Sequence, residues 1–234
     1  MSFFITRSAQ EVGIINPVVA VYTGLNGAAD ATVYDSRITD IMARLPLIKQ
    51  EVLTKPEITG YRTLYANLGF PDIETAGERN LRLTEAKGFQ RFGPLVDAYN
   101  IVSLNNVEGL GCHDVSHLPK DFTLTFKRAL GDEKIFTSST KSKKLTKGDL
   151  TYGVKDEIGT FTPFAQLGKE DRDNVRNRVN KDTQAMLLTA IGHNATSRDY
   201  NIKVCEDVFE NLKLSSPDVQ MTLRVGTFIE DHEA

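Results

Sequence analysis

Apolar positions recur along the chain in two rhythms. Ile38, Ile41, Met42, Leu45, Ile48 and Val52 fall at intervals of three and four, which places them on one face of a helix. Pro46 interrupts this run. A proline gives no N–H to the helical ladder and its ring crowds the carbonyl four residues back, so the spacing predicts a kinked helix or two short ones. Thr75-Ala76-Gly77-Glu78 has the capping-box order, a hydroxyl followed three positions later by a carboxylate. It predicts a helix that carries Leu81 and Leu83 and stops at Gly88. Leu95, Val96, Tyr99, Val102 and Ser103 share a helical face within 95–104, and Val204, Val208, Phe209 and Leu212 share another within 204–212.

The second rhythm is that of strands. Phe122, Leu124 and Phe126 alternate with Thr123, Thr125 and Lys127, the mark of a half-buried strand. Val18–Tyr22 and Ala185–Ile191 are continuous apolar runs of strand length. Tyr152 to Phe164 is rich in strand formers, with a turn near Asp156-Glu157, and Val219 to Ile229 has β character again. Between these segments, 24–31 reads as a loop, 109–114 as a tight glycine-containing turn, and 138–148 as a polar loop or hairpin bearing lysines. Helices cluster in the first half and strands in the second, which favours an α+β fold over a regular βαβ alternation. No repeat, low-complexity tract or Pro/Gly/Ser-rich linker divides the chain, so one domain over 1–234 is expected.

Composition narrows the class. With 234 residues, 40% hydrophobic and 25% charged, the chain is neither disordered nor collagen-like and can bury a core without a metal or disulfide staple. No run of 18 apolar residues occurs, so no membrane association is expected. The start Met-Ser-Phe-Phe-Ile-Thr-Arg lacks the pattern of a secretory signal. Cys112 and Cys205 belong to no CxxC pair and read as two reduced thiols, so the expected location is cytoplasmic. The net charge of −3 argues against a generally basic nucleic-acid binder. The charge is uneven, however: 120–150 holds eight basic and four acidic residues, and 199–234 holds three and eight. One face of such a molecule can still approach an anion.

Candidate chemistry is sparse. Gly109-x-Gly111 lacks the third glycine of a dinucleotide fingerprint, and GxxxxGK[ST], HExxH and GxSxG are absent. His113 and His117 stand four apart, but Gly109, Gly111 and Pro119 oppose the helix that would make them a metal pair, so neither metal nor cofactor is expected. His113, between Cys112 and Asp114, is either a hydrogen-bonded turn histidine or a group that exchanges protons near neutral pH. Lys141, Lys143, Lys144 and Lys147 either keep a loop solvated or touch a phosphate backbone, releasing counterions. Arg172, Arg176, Arg178 and Lys181, interleaved with Asp171, Asp173 and Asp182, read as an exposed, self-compensated helix.

The segment Pro94-Leu95-Val96-Asp97-Ala98-Tyr99-Asn100-Ile101-Val102-Ser103-Leu104 resembles the editing, tRNA-binding (B3/B4) domain of the phenylalanyl-tRNA synthetase beta subunit, and looks most like that family's free-standing members. Tyr61-Arg62 with Tyr65, Leu68 and Gly69 looks like the family's upstream helix. Gly111-Cys112-His113-Asp114 resembles its turn, and Phe122 to Ala129 with Gly131-Asp132-Glu133 its next strand and turn. Thr183 before the run at 185–191 resembles its late strand. The resemblance covers 55–212 and leaves the N-terminal portion, 1–54, outside it.

The resemblance implies an α+β fold of packed sheets with flanking helices. It implies a protein that binds a tRNA or aminoacyl-tRNA 3′ end and acts in translation quality control, hydrolysing mischarged aminoacyl-tRNA in trans. That reaction needs a held water and stabilised charge rather than a nucleophilic triad. The alternative is a non-enzymatic module for a small amino-acid-like ligand. By position, the substrate-binding candidates are Asp97, Tyr99, Asn100, Gly111, Asp114 and Thr189. His113 is the proton-transfer candidate, and Lys141, Lys143, Lys144 and Lys147 are the RNA-binding candidates. The family pattern is altered here. Tyr99 stands where it has Thr, Gly111 where it has His, and Thr189 where a Glu reads the tyrosine hydroxyl, so the same tyrosine specificity is not implied. Asp97 and Asn100 also have a structural reading, fixing the following turn by bonds to the backbone.

Overall fold

The structure, a computed structural model, describes residues 1–52, 54–156 and 159–233. The chain opens on β1 (Ser2–Thr6), a short helix α1 (Arg7–Glu11) and β2 (Val18–Thr23). Helices α2 (Asp35–Glu51), α3 (Pro56–Asn67), α4 (Ala76–Lys87) and α5 (Pro94–Asn106) follow. The strands β3 (Gly111–Asp114), β4 (Thr123–Arg128), β5 (Lys134–Phe136), β6 (Ser142–Lys144), β7 (Leu150–Lys155), β8 (Phe161–Leu167), β9 (Arg172–Asp173) and β10 (Ala185–Ala190) come next. Helix α6 (Arg198–Ser215), β11 (Gln220–Val225) and β12 (Thr227–Ile229) complete the fold.

Among the described residues, two main sheets, a two-stranded β5-β6 hairpin and a helical layer result. One sheet has the order β11-β2-β10-β3 and is antiparallel throughout. The other has the order β12-β1-β4-β7-β8-β9, with β1 parallel to both neighbours. Strand alternation sends Val18, Ala20 and Tyr22 of β2, with Met186, Leu188 and Ala190 of β10, into a core shared with α2, α5 and α6. Their neighbours Val19, Leu187 and Ile191 meet Phe3, Ile5, Leu124, Phe126 and Tyr152 in a second core between the sheets. Strand β10 is therefore covered on both faces, which is why 185–191 is apolar without a break. The architecture is α+β, with packed sheets and flanking helices.

Four expectations are corrected. Helix α2 runs unbroken through Pro46. Its buried stripe, Ile38, Ile41, Leu45 and Ile48, lies on both sides of the proline. Four such burials at about 1.5–3 kcal/mol each outweigh a proline cost of about 3 kcal/mol. Pro46 itself lies on the exposed face of the helix. Segment 109–114 is not only a turn: 111–114 forms edge strand β3, paired to β10 with Gly111 opposite Thr189 and His113 opposite Leu187. Segment 171–182 is not a helix but the short strand β9 followed by a 3-10 turn at Val175–Asn177. The helix-then-strand grouping is also incomplete, since β1 and β2 come first and α6 comes late. Of the expected turn near Asp156-Glu157, Asp156 bonds Thr160 through N–H and Oδ1; Glu157 lies outside the described residues.

Two local features set the wall used below. Thr75 and Glu78 form the capping box at the start of α4, as the spacing predicts. Gly77, in the first turn of α4, lies against the chain leaving α5; a Cβ there would come within 2.1 Å of the Val107 carbonyl oxygen. Val107 ends α5 in the left-handed region, φ 52°. That conformation costs a β-branched residue of order 1–3 kcal/mol. The Glu108 N–H bond to Ser103 O (3.0 Å), the Ser103 hydroxyl bond to Glu108 O (2.6 Å) and the burial of Val107 itself hold it in place.

Candidate active site

A cavity of about 300 Å³ opens where α3, the start of α4, the 109–111 segment and strands β7 to β9 meet. Its floor is aromatic, from Tyr61 and Tyr65 of α3 and Tyr152 of β7. Its rim is charged, with Arg79 of α4 facing Asp171, Arg172 and Asp173 around β9. Asp171 is saturated. The Tyr65 hydroxyl donates to it at 2.8 Å, Arg79 at 3.0 Å and the Gly168 N–H at 3.4 Å. Burial raises its carboxyl, and the Tyr65 and Arg79 contacts work against that rise. Asp173, two residues on, has no side-chain hydrogen bond or ion pair among the described residues. It lines the cavity and is exposed there. Desolvation by the protein packed around it, and then the Asp171 charge, push its carboxyl up to about 6.

Behind this rim the wall is sealed by hydrogen bonds. Tyr152 OH lies 2.7 Å from His113 Nε2, and Thr189 Oγ1 is 3.3 Å from both Tyr152 OH and Gly111 O. A Cβ at position 111 would come within 1.9 Å of the Tyr152 hydroxyl, so the wall closes only around glycine. Where the resemblance leads one to look for histidine, Tyr152 occupies the space. Below Tyr61, Glu108 is buried and accepts the Tyr61 hydroxyl at 2.6 Å; burial pushes its carboxyl up to about 7.

No protein-family model matches the chain, and no curated protein matches it either. Among solved structures, it is similar to an N-terminal fragment of the phenylalanyl-tRNA synthetase beta subunit from Pyrococcus horikoshii. The identity is 11% and the TM-score 0.47, over 99% of this chain and 52% of that one. The chain thus spans about half the length of that structure, and the likeness is a distant one of fold.

The residues singled out from the sequence divide into those near the cavity and those away from it. Gly111 lines it, and Thr189 and His113 lie directly behind it, joined through Tyr152. Tyr99, on α5, is close enough to Asp173 and Cys112 for their charges to raise its hydroxyl pKa, after burial. Asn100 is half-buried on the same helix and is not part of the wall. It belongs to the helical layer, whereas His113 points between the sheets, so the β11-β2-β10-β3 sheet stands between them. Asp97 is buried and accepts the Phe92 N–H at 2.8 Å, fixing the turn before α5 rather than the one after it. Asp114 accepts the Ser116 N–H and the Thr183 hydroxyl, each at 2.8 Å, at the far end of β3. His113 is wholly buried, and burial drives its imidazole down to about 3, so it stays neutral and out of reach of a cavity ligand.

The lysines divide as well. Lys143, on the β5–β6 hairpin, lies 3.7 Å from Glu170, which also pairs with Arg172 of the rim. Lys141 and Lys144 are exposed on the same hairpin, which packs beside β8 and β9. Lys147 lines a different cavity, with Ser8, Arg128 and Asp231. The rim residues Arg79, Asp171 and Asp173 were not identified from sequence. Residues 171–173 are all charged and show no apolar–polar alternation, and β9 is too short for a period to appear.

Proposed function

We propose that this protein recognises an aminoacyl group carried on the 3′ end of an RNA, with the amino acid in the cavity and the sugar-phosphate chain along the β5–β6 hairpin. The observation that supports this reading is the junction of the two surfaces. A small cavity with facing arginine and aspartate side chains adjoins an exposed hairpin bearing Lys141, Lys143 and Lys144, linked to its rim through Glu170. Lysines at the rim neutralise phosphates without reading sequence. The distant fold likeness, to a fragment of a tRNA synthetase subunit, agrees with the theme and adds no residue to it.

The test is titration of the full chain with aminoacyl-tRNA, the same tRNA uncharged, and free amino acids at low salt. The reading expects aminoacyl-tRNA to bind more tightly than the uncharged form. It expects Arg172→Ala and Lys143→Glu each to weaken that binding. Absence of a complex with any tRNA overturns it.

A second reading has its own support. Two arginines and two aspartates around one small cavity can also neutralise both ends of a free amino-acid-like zwitterion. That reading expects free amino acids to raise the melting temperature with no tRNA bound.

A further inference from the structure

We propose that the Asp173 carboxylate is the proton acceptor that activates a water molecule for hydrolysis of the ester held in this cavity. The proposal rests on the reading of the cavity as an aminoacyl-ester site. It begins from the contrast between two carboxylates on one short edge segment. Asp171 is fully engaged by Tyr65, Arg79 and the Gly168 N–H and has a positioning part only. Asp173 accepts no side-chain bond among the described residues and is exposed in the cavity wall. A general base must reach a water that reaches the substrate, and Asp173 is the carboxylate in the wall free to do so.

The groups that face it come from every element packed there. They are Asp171 and Arg172 on its own segment, Arg79 of α4 across the rim, Arg178 beyond the 3-10 turn, Tyr99 of α5, Cys112 of β3 and Tyr152 of β7. Burial raises the two tyrosines and the Cys112 thiol, so all three stay protonated and none takes up a proton near neutrality. His113 is held neutral behind Tyr152 and accepts nothing from the cavity. Asp173 is the group in the cavity wall whose charge changes in the relevant range, at about 6; Glu108, raised to about 7, lies beneath the floor and is bonded to Tyr61. That value leaves most of it ionised at pH 7 and still basic enough to help.

The step balances without a co-reactant. Water oxygen bonds to the ester carbonyl carbon as one water proton passes to Asp173. The tetrahedral intermediate then collapses, breaking the bond to the ribose oxygen, which takes the proton back from Asp173. The products are the free amino acid and an RNA with a free hydroxyl, and the carboxylate is regenerated.

The experiment is single-turnover deacylation of a panel of aminoacyl-tRNAs by the full chain from pH 5 to 7, where spontaneous ester loss is slow, with binding measured separately. For Asp173→Asn the proposal expects about a 10²–10⁴-fold loss of the chemical rate with affinity changed less than about threefold. In the natural protein it expects a rate that rises about tenfold per pH unit and levels above about pH 6. A folded Asp173→Asn protein with undiminished turnover overturns it. Should that variant not fold, the natural protein's pH profile decides, and a flat profile overturns it. Binding of aminoacyl-tRNA without turnover of any member of the panel overturns the proposal and leaves the recognition reading standing. Absence of binding overturns both.

Discussion

The Tyr61 hydroxyl donates to Glu108 at 2.6 Å, and the second oxygen of that buried carboxylate meets no donor. The pair lies directly beneath the cavity floor, and its ionisation sets a pH dependence. Burial raises the folded-state value from 4.5 to about 7. Between those values the folded protein holds a proton that the unfolded chain has released, so stability falls as pH rises through that window and levels off above it. The limiting slope is about 1.4 kcal/mol per pH unit. Glu108→Gln removes this proton. Urea unfolding from pH 4 to 8 should give the variant a shallower decline than the natural protein, and identical slopes would refute the assignment.

Gly111 and Tyr152 form the tightest approach in the cavity wall. Gly111→Ala brings a Cβ against the tyrosine hydroxyl, at 1.9 Å, and the Thr189 hydroxyl, at 2.5 Å. Overpacking of this kind costs about 1–3 kcal/mol. Because the nearest clash is with one hydroxyl, Tyr152→Phe should relieve part of it. A double-mutant cycle by chemical denaturation should then show the pair less destabilised than the sum of the two single changes. Strict additivity would mean that the backbone of β3, and not the hydroxyl, is the obstacle.

Much of the fold was legible because it follows local rules. The Thr75–Glu78 box starts α4 and Gly88 ends it, and the alternation at 122–127 marks β4. Pro46 misled because a local penalty was read without the tertiary burial that outweighs it. The site was less legible. Arg79 and Asp171 meet across 92 positions, and Tyr65 and Asp171 across 106. No spacing rule reaches that far. Asn100 and Thr189 were grouped by their order along the chain, and the sheet's two faces separated them. Asp171 and Asp173 looked compensated by their arginine neighbours, yet one is paired with Arg79 of α4 and the other makes no side-chain hydrogen bond or ion pair among the described residues.

Asp97 shows how a residue picked out for function is held by structure. It is fully buried, one oxygen accepts the Phe92 N–H at 2.8 Å, and the other is unpartnered. Asp97→Ala strands that N–H, with an expected cost of about 1–3 kcal/mol. Ligand affinity of the folded variant should stay unchanged, since Asp97 is not in the cavity wall. A drop in affinity at full stability would return Asp97 to the site.

The lysines give the sharpest test of where RNA lies. Lys143 reaches the rim through Glu170, whereas Lys147 faces another cavity. For a single strand, each lost phosphate contact should flatten the dependence of log affinity on log salt by about 0.7. Lys143→Glu should therefore weaken tRNA binding and flatten that slope by about one contact, and Lys147→Glu should leave both nearly unchanged. The comparison is made by titrating tRNA at several salt concentrations. Equal effects from the two changes would show that the basic segment attracts RNA as a diffuse field. The hairpin beside the cavity would then have no special part in binding.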